Sequence, residues 1–214
     1  MTPPVATPPF VAVLDYGIGN LRSAQKALQH VGAEARLVTE AAAATDADAV
    51  VLPGVGAFGR SMEALIETGL DQVVIEAVEA GKPFLGICVG MQMLYDGSEE
   101  SPGVLGLGLL SGMVRRLPDG VKHPQMQWNT LDVLSQSPLL NGLDSNPWLY
   151  FVHSYAPSPT NADEIVATCD YGGPVTAMVQ RDSLWATQFH PEKSGKVGLS
   201  LLANFVDCVA ERRD

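Results

Sequence analysis

The chain is predicted to fold as an α/β protein. Its central sheet should be mixed but mostly parallel, covered by helices on both faces as a three-layer α/β/α sandwich. An antiparallel strand region should follow in the second half. Three observations predict this. Short apolar runs bounded by glycine and proline alternate with helical periodicities through the first half. Those runs read as buried strands, which is what a parallel sheet covered on both faces requires. In the second half the pattern changes to strand-like stretches separated by turn residues, with no long helical run until the C-terminus.

"FVAVLD", Phe10 to Asp15, is the first apolar run and a buried strand. "YGIGN" turns the chain into a helical pattern from Leu21 to Val31, which Gly32 stops. A short strand is expected from Glu34 to Val38. "DAVVLPGVG" is a further apolar strand that ends in a Gly/Pro turn. Helical patterns over Arg60 to Glu67 and Asp71 to Ala80 follow it. "PFLGI" is the next strand, and a helix is expected after Gly90. Further on, "SGMVRRL", "WNTLDVL", "WLYFVHSYA", "EIVATCDY", "PVTAMVQR" and "SLWATQF" read as antiparallel strands, interrupted by a turn near Ser137 to Gly142. The last helix, Lys196 to Arg212, carries Leu199, Leu202, Phe205, Val206 and Val209 on one stripe.

The 214 residues fit one domain, expected over residues 10–214 after a flexible Pro-rich tail at 1–9. Hydrophobic residues make up 46% and charged residues 17%, an ordinary globular balance rather than a disordered one. The formal net charge is −11, so the basic footprint of a nucleic-acid binder is missing and no nucleic-acid partner is expected. No apolar run is long enough to span a bilayer, and "MTPPVATPP" lacks the basic start and apolar stretch of a signal peptide. Three cysteines without a CxxC pair point to a reducing, cytoplasmic setting and to no structural zinc site. Neither metal nor cofactor is expected.

"GICVG", Gly86 to Gly90, is the stretch that carries chemistry. A strand, a sharp turn and a helix with glycines two residues either side of Cys88 form the G-x-C-x-G version of a nucleophile elbow. Gly86 and Gly90 remove Cβ atoms where the turn is crowded. Cys88 is then held in a strained conformation, its side chain exposed above the sheet edge. The following helix N-terminus should favour thiolate, and the Val89 N–H is placed to meet an oxyanion. Read alone, the same pattern also fits a buried turn with a small hydrophobic cysteine.

A cysteine nucleophile needs a histidine base, and the base needs an orienting group. Of four histidines, His30 suits a helix end and His123 a polar loop, while His153 suits either a core or a site. His190 ends an apolar strand, where sites collect in α/β folds. Pro191 stiffens the turn, and Glu192 is close enough to accept from the imidazole and fix its tautomer. Together these predict a triad of Cys88, His190 and Glu192. Gln92 lies one helical turn beyond Cys88, where a carboxamide can hold a polar substrate. "PGVG", Pro53 to Gly56, ends its strand with backbone N–H groups free of bulky side chains, as the second half of an oxyanion hole requires. Cys169 and Cys208 read as structural.

"PGVGAFG", "GICVGMQML", "YFVHSY" and "FHPEKS" together resemble the class I, triad-type glutamine amidotransferases. "LDYGIGNLRS", "GSEE" and "MQWN" narrow the resemblance to the glutaminase subunit of imidazole glycerol phosphate synthase. The resemblance covers the chain from Phe10 to the last helix. It implies a glutaminase that releases ammonia from L-glutamine through Cys88, His190 and Glu192. An oxyanion hole would use Val89, Gly54 and Val55, with a peptide flip near Val55 as the switch. Glutamine would be held by Gln92, Glu100 and the backbone of Ser154 and Tyr155. The implied partner is a (βα)₈-barrel cyclase subunit in a heterodimer, docked through Asn20, Arg22, Trp128, Asn129, Tyr150 and Lys193. The pathway implied is histidine biosynthesis. One departure stands out: the family's Pro-His-Met-Gly-Trp-Asn run is Pro124-Gln125-Met126-Gln127-Trp128-Asn129 here, so Gln127 replaces a glycine that suggests a special backbone conformation. Two other readings fit the residues: a thiol hydrolase of γ-glutamyl peptidase type on the same fold, and a non-catalytic regulatory subunit.

Overall fold

The computed structural model describes residues 7–212. The first half runs β1 (Phe10–Leu14), α1 (Leu21–His30), β2 (Glu34–Val38), β3 (Ala49–Gly54), α2 (Phe58–Glu67), α3 (Leu70–Glu79), β4 (Phe84–Cys88) and α4 (Val89–Gln92). The second half adds β5 (Gly97–Ser98), β6 (Gly112–Arg116), β7 (Gln125–Thr130), β8 (Asp132–Val133), β9 (Trp148–His153), β10 (Tyr155–Pro159), β11 (Ile165–Asp170), β12 (Pro174–Arg181), β13 (Leu184–Thr187) and α5 (Gly195–Glu211). The expected Pro-rich tail falls outside the described residues up to residue 6. Pro9 is buried, and its carbonyl accepts from the Glu34 amide at 2.9 Å.

The main sheet has eight strands in the order β2-β1-β3-β4-β13-β12-β11-β8. β1 to β4 and β13 are parallel; β12, β11 and β8 continue the sheet antiparallel. Every residue of β3, β4 and β13 is buried, so both pleat faces of the sheet centre are covered. α1 packs on α5, and α2 on α3. α5 buries Leu201, Leu202, Phe205, Val206 and Val209, with Leu199 only partly buried and the Phe205 ring edge-on to Trp185 of β13. The remaining strands form two small sheets, β10-β6-β5 and β7-β9.

Two expectations need correction. The second half is not one antiparallel block, because β13 returns to pair parallel with β4, Ile87 opposite Thr187. That crossover brings residues a hundred positions apart to one sheet edge. The helix after the cysteine is four residues long rather than extended. The carbonyls that would prolong it are taken by the loop beyond β5: Leu107 N bonds Met93 O at 2.8 Å, and Leu110 N bonds Leu94 O at 2.9 Å. Among the described residues no helix is long and apolar enough to cross a membrane.

Candidate active site

β4 delivers Cys88 to the turn with φ 56° and ψ −113°, a positive φ that a β-carbon opposes. The glycines around it are there for contact. A Cβ on Gly90 would lie 1.8 Å from the Leu52 carbonyl oxygen of β3, and one on Gly86 would lie 3.1 Å from Gly90 O. A Cβ on Gly54, opposite Cys88 in register, would sit 2.6 Å from Gly90 N. The turn is therefore wedged against its neighbouring strand, and the strain at Cys88 is held by packing. Two sequence expectations change here. Cys88 is only 3% exposed, not projecting into solvent. The four-residue α4 is also too short to supply a helix dipole of consequence to the sulfur.

His190 follows β13, the strand beside β4. Its backbone is pinned: His190 N donates to Tyr150 O at 3.0 Å, and Ser194 Oγ donates to His190 O at 2.6 Å. Phe189 anchors the segment against the Phe151 ring. His190 Nδ1 lies 2.8 Å from Glu192 Oε1, with both side chains buried. The carboxylate only accepts, so Nδ1 carries a proton and Nε2 is the free face. That nitrogen is buried, and the neighbouring Cys88 sulfur acts on the ring. Burial alone would lower the imidazole, but bonding and charge from Cys88 and Glu192 outweigh it and raise the group to about 9. Protonated His190 therefore stabilises the folded state most below its ordinary 6.5, and that contribution is lost as pH rises through about 9.

A cleft of about 440 Å³ opens over this pair. Cys88, Val89, Gln92, Glu100 and His190 line it, as do Val55, Ser154 and Tyr155. Gly54 lies directly behind, and the Tyr16 hydroxyl donates to Pro53 O at 2.8 Å, tying down the same strand end. Several polar groups are already engaged. Glu100 Oε2 accepts from the Phe58 N–H at 2.7 Å at the start of α2. Gln92 Nε2 donates to Tyr155 O at 2.9 Å and to Gln188 Oε1 at 3.0 Å. Asn20 and Lys193 reach the cleft mouth. Trp128 and Tyr150 pair across β7 and β9 with rings edge to face, 6.1 Å between centroids. Asn129 Nδ2 donates to Asp170 O, and Arg22 is exposed on the first turn of α1. Gln127 sits in ordinary extended β7 opposite Phe151, without positive φ, so glycine is not needed there. Gln125 is buried, its Nε2 3.8 Å from Cys169 Sγ.

His30 is exposed at the end of α1, and His123 Nε2 lies 3.2 Å from Pro118 O. Burial pushes the Cys169 thiol up to about 11, a poor nucleophile at neutral pH. Sequence pattern does not single out Gln188, which lies behind the cleft against the Cys88 sulfur, and leaves His153 open between core and site. Gln188, buried next to the sulfur, carries no local signal because its partners are distant in the chain. His153 was ambiguous; it is both buried and a cleft residue. Its Nδ1 lies 2.9 Å from Tyr155 O, an acceptor only, so Nδ1 carries the hydrogen. Burial lowers it to about 4, against the Tyr155 bond and with help from the His190 charge.

That shift has a sign. Below its ordinary 6.5 the unfolded chain takes up a proton that folded His153 refuses until about 4, so stability falls as pH drops through that window. The effect is roughly 3 kcal/mol at full extent. His153→Gln keeps a donor for Tyr155 and removes the titration. Urea unfolding between pH 7 and 4 should show a flatter acid limb for the variant; parallel limbs contradict the assignment.

Comparison with known proteins places these features. The family model described as glutamine amidotransferase class-I matches residues 12–208. A protein of Deinococcus radiodurans, imidazole glycerol phosphate synthase subunit HisH, is 50% identical over 206 residues, covering 95% of this chain and 96% of its own. The protein of the same name from Methanothermobacter thermautotrophicus is 49% identical over 200 residues, covering 94% of this chain and 99% of its own. A crystal structure of a glutamine amidotransferase superposes with TM-score 0.75 at 24% identity, over 94% of this chain and 98% of that one.

Proposed function

The chain belongs to the class-I glutamine amidotransferase family, and from that premise we propose that it is the glutaminase subunit of an imidazole glycerol phosphate synthase. It works as a single domain over residues 10–214, in the cytoplasm, in the pathway to histidine. The observation that carries the reading is the 2.8 Å His190–Glu192 contact, which leaves the free imidazole nitrogen facing a cysteine held at a strained turn.

The chemistry follows from those positions. The Cys88 thiol passes its proton to His190 Nε2 and its sulfur attacks the side-chain amide carbon of L-glutamine, while the developing oxyanion meets the Val89 N–H and the backbone of Gly54 and Val55. As the tetrahedral intermediate collapses, the carbon–nitrogen bond breaks. Protonated His190 gives its Nε2 proton to the leaving nitrogen, and ammonia departs. Water then attacks the glutamyl thioester while His190 takes its proton; the carbon–sulfur bond breaks, His190 returns the proton to the sulfur, and glutamate leaves. Glu192 holds the tautomer and stabilises the imidazolium throughout. Gln92, Glu100, Ser154 and Tyr155 hold the substrate's polar ends.

Ammonia has to reach a second subunit, in this reading a (βα)₈-barrel cyclase that forms imidazole glycerol phosphate and aminoimidazole carboxamide ribonucleotide. A docking face supports this. Met126, Trp128 and Trp148 are 61%, 48% and 56% exposed, and their register across β7–β9 puts them on one face of the ribbon. Exposed large apolar side chains grouped in this way mark interaction surfaces. Tyr150 of the same face also holds the His190 backbone, so a partner there lies next to the site. Asn20, Arg22, Asn129 and Lys193 complete the proposed contact. The test is glutamine hydrolysis with and without the cyclase and its nucleotide. Weak turnover alone and a large rise in the complex are expected. Full turnover alone fits a stand-alone thiol hydrolase instead, and no turnover in either state fits a non-catalytic subunit.

A further inference from the structure

A sulfur that carries negative charge during turnover needs a donor beside it, and the short α4 does not provide a helix dipole. Gln188, just past the end of β13, does have a donor in place. It is fully buried, its backbone N–H donates to Ala177 O at 2.8 Å, and its Nε2 lies 3.6 Å from Cys88 Sγ. Sulfur is a large acceptor, so this is hydrogen-bonding range.

Which end of the Gln188 amide faces the sulfur follows from a chain of bonds that starts at the backbone. Tyr155 O can only accept, so the Gln92 atom 2.9 Å from it is the amide nitrogen. The same nitrogen lies 3.0 Å from Gln188. Its second hydrogen therefore meets the Gln188 oxygen, which leaves the Gln188 NH₂ group pointing at Cys88. A flipped Gln188 would set two NH₂ groups against each other and turn a carbonyl oxygen toward the sulfur.

We propose that Gln188 is a catalytic residue whose side-chain N–H donates to the Cys88 sulfur, and that Gln92 is the positioning residue that fixes its orientation. A donor bonds an ionised acceptor more strongly than a neutral one, so it favours thiolate over thiol. It also favours sulfur as the leaving group when the thioester breaks. The proposal rests on Cys88 being the nucleophile. The titratable groups around the sulfur are His190 with Glu192 behind it, Tyr16 from the end of β1, His153, and Glu100 and Lys193 at the mouth.

The test is the pH dependence of Cys88 alkylation by iodoacetamide in the full chain, followed on the Cys88 peptide by mass spectrometry. Gln188→Met keeps the shape and removes the donor; its midpoint should move up by about one pH unit. Gln188→Glu puts a carboxylate against the sulfur and should move it further. In the cyclase complex, kcat for glutamine should fall about tenfold or more in both while KM changes little. Melting temperatures report whether each variant folds. Unmoved midpoints in folded variants overturn the proposal, as does an equal shift in both, which a packing role alone produces. Cys88→Ala measured in parallel separates the two levels. If it keeps glutamine turnover, the nucleophile assignment fails; if it loses turnover while the Gln188 variants behave like the parent, only the Gln188 assignment fails.

Discussion

Cys88→Ala should abolish glutamine-dependent synthesis by the complex and leave synthesis from free ammonium intact. The loss should be on the order of 10⁴-fold or greater, because a nucleophile acts as a unit with its base and its removal leaves only binding and oxyanion contacts. The variant is clean for a structural reason. Alanine keeps the Cβ that already tolerates φ 56° at this turn, so the strain on the backbone is unchanged and only the sulfur is lost. The proposed docking face on β7–β9 does not include residue 88. Assays of the complex with glutamine and, separately, with ammonium salt at raised pH read the two activities. Loss of both would mean that the substitution damages the assembly; retention of both would mean that sulfur is not the nucleophile.

Gly90→Ala should be the most destabilising single-methyl addition near the site. Its Cβ would lie 1.8 Å from the Leu52 carbonyl oxygen, and that oxygen belongs to the middle of β3, buried between β1 and β4. Neither side can move freely. A rotamer change does not help, because the contact is between a fixed Cβ position and backbone. Overpacking of this kind costs about 3 kcal/mol or more, a fall of roughly 6–12 °C in melting temperature for a chain of this size. Gly86→Ala, with its nearest contact at 3.1 Å, should cost less. Thermal unfolding of the two variants side by side checks the order. A Gly90→Ala protein that melts within a degree or two of the parent would show that the wedge against β3 is loose.

What could be read from sequence was what local chemistry dictates. β1 and β3 stand where their apolar runs predict them, because a strand buried on both faces must be apolar at nearly every position. The elbow was legible because its glycines answer to a crowding that spacing alone reveals. His190 and Glu192 were legible because they are two residues apart and need no tertiary information to meet. The rest depends on partners far along the chain. α4 ends early because amides of the loop around residues 107–110 take its carbonyls, and nothing in "GMQMLYDG" announces them. Cys88 is buried because the neighbouring strands and the Gln188 segment close over it. Gln188 itself sits one hundred residues from the sulfur it faces, and in "LWATQFHPE" it looks like any strand-end glutamine. Four residues of the expected α5 stripe, Leu202, Phe205, Val206 and Val209, are buried as the periodicity predicts; Leu201 is buried with them, and Leu199 is only partly covered.

The pairing of Cys88 with the His190–Glu192 couple is tested most directly by covalent capture. Incubation with an electrophilic glutamine analogue, followed by peptide mass spectrometry, should place one label per chain on Cys88. Exchanging His190 for asparagine should slow that labelling sharply. A label found on Cys169 or Cys208, or an unlabelled Cys88 in a preparation that still hydrolyses glutamine, would contradict the account.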